Sequence, residues 1–202
     1  MDSLFGSCGN AILPTVQLKG NANGAILVPM RALAFWKAVT LDHTDFLERL
    51  LGMFDEQVIP YCIIGGQAVN AYAEPVVSLD LDVVVAVDRM IDAIKALNQR
   101  FTVERFPHSL NVSAKGSDLR VQIQTDPAYA AFVDRAGPRM VLGLKVPVAR
   151  IEDVLQGKIW AAQDPERRPS KRLKDLADIA RLVEARPELR SNVPADILAR
   201  LA

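Results

Sequence analysis

Apolar residues along the chain follow two periods, and the places where one gives way to the other outline its elements. Asp45–Gln57 carries Phe46, Leu47, Leu50, Leu51 and Phe54 at helical spacing, so it is expected to be an amphipathic helix packed on a sheet, with Thr44 as its N-cap. Val58–Ile64 is a short apolar run rich in β-branched residues, ended by Gly65-Gly66, as a buried strand would be. Gln67–Ala73 suits one or two helical turns, closed by Glu74-Pro75. Ser78–Val87 reads as a second strand. On it Leu79, Leu81, Val83 and Val85 share one face, and Asp80 and Asp82 share the other.

Farther along, Arg89–Gln99 is a predicted helix capped by Asp88, with Met90, Ile91, Ile94 and Leu97 inward. Phe101–Phe106 and Leu110–Ala114 are predicted strands, and residues 115–118 form a turn. Leu119–Thr125 alternates cleanly, Leu119, Val121, Ile123 and Thr125 against Arg120, Gln122 and Gln124, the pattern of a half-buried strand. Tyr129–Arg135 is expected to be helical and Arg139–Val148 to form a last extended segment. From Arg150 onward the pattern is helical: Ile151–Gln163 with Ile151, Val154, Leu155, Ile159 and Trp160 inward, a charged loop over 164–171, Arg172–Glu184, and a short Pro194–Leu201.

The organisation expected is an irregular lead-in over 1–41, broken by Gly6, Gly9, Gly20, Gly24, Pro14 and Pro29, with a short helix at Arg31–Val39. A core over 42–149 and a helical extension over 150–202 follow. Strands interleaved with helices give a mixed α/β (α+β) class, a mixed sheet flanked by helices.

Composition narrows the picture further. The 202 residues balance 24 Lys+Arg against 24 Asp+Glu, so no global charge argues for nucleic acid. Cys8 and Cys62 are far apart, and Cys62 lies inside a predicted strand, which points away from a disulfide framework and toward a reducing compartment. Neither His43 nor His108 has metal-ligand spacing, no stretch approaches a membrane span, and no leader is evident. The expected location is cytoplasmic.

The chemistry concentrates at Asp80 and Asp82. Two carboxylates on one face of an otherwise apolar strand, roughly 7 Å apart along the chain, are costly without a neutralising cation. Mg²⁺ is the natural partner, because it prefers carboxylate and phosphate oxygens. Gly-Gly, a short helix, then Ser78-Leu79-Asp80-Leu81-Asp82 entering a Val-rich strand resembles the nucleotidyltransferase superfamily that includes DNA polymerase β. Within it, the AbiEii-type toxins of abortive-infection systems and the minimal nucleotidyltransferases are the most similar branches. The likeness spans Ile59–Val87 and, less closely, Ile151–Leu182.

That resemblance implies a nucleotidyltransferase fold with a C-terminal helical extension. It also implies metal-dependent transfer of a nucleoside monophosphate from a nucleoside triphosphate to a hydroxyl acceptor. Asp80 and Asp82 would hold Mg²⁺ or Mn²⁺. Gly65 and Gly66 would let backbone approach phosphate, with the helix start offering unpaired N–H groups, and Ser78 would bond a terminal phosphate. The superfamily's third carboxylate has no counterpart on Leu119–Thr125, whose active face offers Arg120, Gln122 and Gln124. The AbiEii branch uses Lys and Asp from its C-terminal helices instead. Here the matching residues are Lys158, holding triphosphate, and Lys174, Asp175 and Asp178 in a K-D-x-x-D run, with Asp178 or Asp175 as base or second metal ligand. Val76-Val77 stands where the superfamily often has Arg, and the basic loop Arg167, Arg168, Lys171 and Arg172 is the nearest compensation.

The acceptor class is open among a tRNA end, a protein side chain and a small molecule, and the branch implies a cognate antitoxin protein as partner. Gln122 and Gln124 keep a second reading in view, a catalytically weakened relative that binds nucleotide or a partner. An antibiotic-modifying nucleotidyltransferase is a third, since that branch shares the GG and D-x-D.

Overall fold

The computed structural model describes residues 28–201, so the lead-in up to residue 27, with Cys8, lies outside the described residues. Helix α1 (Val28–Val39) begins before the Arg31 expected from its pattern. Helix α2 (Phe46–Glu56) buries Phe46, Leu47, Leu50, Leu51, Met53 and Phe54. Its N-terminus is capped from farther back than expected. Asp45 adopts a left-handed conformation (φ 52°), and Oδ1 of Asp42 accepts from the backbone N–H groups of Thr44 and Phe46 and from the Thr44 hydroxyl. The carboxylate wins because it satisfies several N-terminal donors at once.

Seven strands form one mixed sheet in the order β3-β4-β5-β2-β1-β7-β6. Strands β1 (Tyr61–Ile64) and β2 (Asp80–Val85) are antiparallel, joined by the short helix α3 (Gly65–Asn70) and the loop after it. Helix α4 (Met90–Arg100) leads to the hairpin β3 (Thr102–Phe106) and β4 (Ser109–Ser113), and β5 (Arg120–Gln124) returns parallel to β2. On α4 the inward residues are Ala93, Ala96 and Leu97, whereas Ile91 is 69% exposed, one step off the buried stripe, and Asp88 makes no side-chain cap. Helix α5 (Ala130–Asp134) follows.

The segment expected to be one extended run is a hairpin, β6 (Gly137–Val141) and β7 (Leu144–Val148). Its turn uses positive φ at Leu142 and Gly143, which the surrounding apolar residues disguised. β7 runs parallel to β1 through Ile63 and Val148.

The C-terminal part comprises α6 (Ile151–Gln163), α7 (Pro169–Ala185) and α8 (Ala195–Leu201). α7 starts three residues earlier than its periodicity suggests, because Pro169 occupies its first turn, where a missing N–H costs nothing. On α6, Val154, Leu155 and Ile159 are buried as expected, while Trp160 is partly exposed at 37%. None of the helices among the described residues is long and apolar enough to cross a membrane.

Candidate active site

Alternation on β2 does what parity requires: Leu81, Val83 and Val85 are buried at 1% exposure or less, and Asp80 and Asp82 face the opposite way. Both carboxylates line a cleft of about 560 Å³, together with Gly66, Ser78, Lys158 and Lys174. The cleft is roofed by α6 and α7.

The turn from β1 into α3 is shaped around Asp82. Gly65 has φ +65°, and a β-carbon there would lie 2.0 Å from Oδ2 of Asp82. Only glycine both adopts that backbone and leaves the space. At Gly66 a β-carbon would come within 3.1 Å of the Ser78 hydroxyl and 3.9 Å of Lys174 Nζ, so these three groups crowd one side of the cleft.

The loop preceding β2 is held from several sides. The carbonyl of Ser78 accepts from the Trp36 indole N–H (2.7 Å) and from Gln67 Nε2 (2.8 Å). Asn70 brackets Val76, donating to its carbonyl (2.7 Å) and accepting from its N–H (3.0 Å). Arg181 on α7 donates to Asn70 Oδ1 and to the carbonyl of Glu74. Sequence reasoning missed Trp36, Gln67, Asn70 and Arg181 because they hold an irregular loop through single side-chain bonds, which leave no periodic pattern to show them.

Asp82 sits at the cleft floor. Burial pushes its pKa up, and the neighbouring charge of Asp80 adds to that, against the pull of Lys158, Lys174 and Arg167. Among the described residues Asp82 forms no ion pair, and the only ionic neighbour of Asp80 is Lys171 at 3.7 Å. An aligned, largely uncompensated carboxylate pair fits a hard divalent cation. Among the described residues no three His, Cys, Asp or Glu side chains converge to hold an ion by themselves. The remaining ligands would therefore come from phosphate and water.

Register decides what stands beside the paired acids on the neighbouring strand. In the parallel β2–β5 ladder Asp82 pairs with Gln122 and Asp80 with Arg120, so an amide and a guanidinium stand beside the two acids.

The C-terminal residues do converge, but not all on the cleft. Lys158 Nζ lies 3.0 Å from Asp175 Oδ1 and 2.7 Å from Asp178 Oδ2. Asp175 also accepts from Arg167 (2.6 Å), and Asp178 from Arg181 (2.8 Å). All three of Lys158, Asp175 and Asp178 are buried. Burial alone would lower the Lys158 pKa, yet the charges of Asp178 and Asp175 outweigh it and hold the ammonium above its ordinary 10.5. Lys158, Lys174 and Asp175 line the cleft. Asp178 is turned instead toward Lys158 and Arg181. Of the basic loop, Arg167, Arg168 and Lys171 also line the cleft, Arg167 being the residue that clamps Asp175.

A mixed sheet with paired acids on a central strand, a Gly-Gly helix start beside them and a lysine closing from a C-terminal helix defines a nucleotidyltransferase. The chain belongs to the family described as nucleotidyl transferase AbiEii toxin, type IV TA system, which matches residues 63–202. No curated protein matches it. Among solved structures it is similar to ANT(2'')-Ia, crystallised in complex with adenylyl-2''-tobramycin, at 18% identity over 78% of this chain and 98% of that one, with a TM-score of 0.54. A lincomycin-bound lincosamide adenylyltransferase, LnuA, also matches, at 13% identity over 69% and 97% of the two chains, with a TM-score of 0.49. The first of these supports the fold.

Proposed function

We propose that this nucleotidyltransferase moves a nucleoside monophosphate from a nucleoside triphosphate to a hydroxyl acceptor, and that it depends on Mg²⁺ or Mn²⁺ held by Asp80 and Asp82. The observation that carries this reading is the packing of the Asp82 carboxylate against Gly65, with Asp80 beside it and no ion pair to Asp82 among the described residues. A structural acid would be neutralised by a protein cation. This one faces the cleft.

A bound cation there would neutralise charge building on the α-phosphate and the departing pyrophosphate. The chain's own groups do the positioning. The Gly66 backbone, the Ser78 hydroxyl and Lys174 gather where terminal phosphates would lie. Lys158, fixed by Asp175 and Asp178, presents a permanent ammonium to the cleft beside Asp82. Asp178 orients that lysine rather than meeting substrate. Asp175, clamped by Arg167, is the C-terminal carboxylate nearest the chemistry. Residues 42–149 act as the catalytic core, and 150–202 as the extension that closes over it. A cognate antitoxin protein is the partner the family suggests.

Calorimetry with ATP, GTP, CTP and UTP plus Mg²⁺ tests the reading. Binding should be detected for at least one nucleotide and be abolished by Asp80→Ala together with Asp82→Ala. Undiminished binding by the double variant would remove both acids from the site.

A further inference from the structure

Arg181 does not line the cleft, yet it stands in the middle of an unbroken polar chain that joins the two sides of the site. From one guanidinium nitrogen it donates to Asp178 Oδ1 (2.8 Å), and the other Asp178 oxygen lies 2.7 Å from Nζ of Lys158, which borders the cleft. Its second nitrogen crosses from α7 to the core, donating to Asn70 Oδ1 (2.8 Å) and to the carbonyl of Glu74. Asn70 passes the connection on. It brackets Val76 through both backbone groups and donates to Gln67 Oε1 (3.4 Å), and Gln67 donates to the Ser78 carbonyl (2.8 Å).

An ion pair within α7 does not account for this arrangement. Arg181 and Asp178 are three residues apart on one helix, a spacing that stabilises the helix only slightly. What the guanidinium adds is the crossing. Residues 71–79 include no lysine or arginine, so the cation that fastens this loop is supplied by α7. A planar fork serves Asp178 with one nitrogen and the loop with the other, whereas a single ammonium cannot reach both ends. With 17% of its side chain exposed, Arg181 is held in that geometry from most sides.

The consequence reaches the triphosphate site. Gly66 and Ser78 belong to α3 and the loop after it, while Lys158 and Lys174 come from α6 and α7. A triphosphate meets both sets at least cost when the span between them is fixed before it arrives. Both α6 and α7 pack on α3, and Arg181 pins α7 to the loop that carries Ser78. We infer that Arg181 is a positioning residue for nucleotidyl transfer, holding the Ser78 loop at a set distance from Lys158 and Lys174 without touching substrate. This rests on the reading that those groups bind the triphosphate.

The test uses Arg181→Lys, which keeps the charge and loses the fork, and Asn70→Ala, which cuts the same link from the loop side. Thermal melting first fixes the temperatures at which each variant is folded. In titrations with nucleoside triphosphate and Mg²⁺, each single variant should weaken binding about tenfold, as loss of one well-placed charged hydrogen bond would. The double variant should bind no more weakly than the poorer single. In steady-state transfer KM should rise with little change in kcat. Ser78→Ala gives the sharpest comparison. It should weaken triphosphate binding in wild type and have almost no effect in the Arg181→Lys background, because a loosened loop no longer places the hydroxyl. A purely structural arginine would lower the melting temperature and leave affinity, KM and the Ser78→Ala effect unchanged; that result, or additive losses in the double variant, overturns the proposal. Wild-type protein that binds no triphosphate, or binds it regardless of Ser78→Ala, refutes the phosphate placement itself and the proposal with it, a failure separate from an intact site that ignores Arg181.

Discussion

A β-carbon at Gly65 would lie 2.0 Å from Oδ2 of Asp82, so the first glycine of the Gly-Gly pair and the second aspartate of the D-x-D occupy interlocking space. Gly65 and Asp82, seventeen residues apart in the chain, make the two motifs one structural device. The turn, in that form, leaves room for the carboxylate to lie against its backbone.

Gly65→Ala should therefore harm catalysis more than folding. The side chain forces Asp82 aside and strains a left-handed φ, at a cost of about 1–3 kcal/mol in stability. A displacement of about 1 Å at a reacting centre lowers turnover by roughly 10²-fold. Thermal melts and transfer of label from an α-³²P nucleotide measure the two effects. Full transfer activity in the alanine variant would show that Asp82 is not needed in its observed position.

Lys158 sits between two buried acids, and removing it strands them. Lys158→Met is expected to destabilise the protein by about 3–5 kcal/mol, the range for breaking a buried pair from one side. Adding Asp178→Asn should recover part of that loss. Because the folded state raises the lysine's pKa above 10.5, the triad's contribution is complete below that pH. It falls away as the solution is made more alkaline and passes the folded value. Denaturant melts of wild type and Lys158→Met across that alkaline range should converge.

The two C-terminal acids should separate kinetically. Asp175→Asn alters a group that borders the cleft, so kcat is expected to fall by orders of magnitude with nucleotide affinity little changed. Asp178→Asn loosens Lys158 and Arg181 from behind, so it should show mainly as lost stability with a smaller fall in kcat. The reverse ranking in single-turnover experiments would make Asp178 the reacting group.

Trp36 reaches the site through one bond, from its indole N–H to the carbonyl of Ser78. Trp36→Phe keeps most of the buried ring and deletes that donor, while Gln67 still holds the carbonyl. A loss of about 1 kcal/mol in stability is expected, with a rise in KM for nucleotide as the Ser78 loop loosens. Chemical denaturation and steady-state kinetics would show it.

Cys62 lies fully buried on β1, where burial pushes its thiol pKa up to about 12. Thiolate is the reactive form. Iodoacetamide followed by peptide mapping should find Cys62 unmodified in native protein at neutral pH and labelled after denaturation.

What the sequence determined by itself is the strand–glycine–helix–strand order of this segment and the shared face of Asp80 and Asp82, though β1 starts only at Tyr61 and α3 takes in both glycines and ends at Asn70. These depend on chain parity, β-branching and glycine, which act over a few residues and are written locally. The same holds for α6, whose bounds follow from its periodicity. Tertiary structure decided the rest. That Gln122 is the residue beside Asp82 follows from the register of two strands some forty residues apart, and only non-local packing sets it. The β6–β7 turn is made by a left-handed Leu142 as well as Gly143, and a leucine carries no turn signal. The K-D-x-x-D spacing places its two acids about one turn apart on α7, but which of them borders the cleft was settled by how α7 packs against α6, which brings Lys158 to both acids. A helix can state which residues share a face; it cannot state what that face will meet.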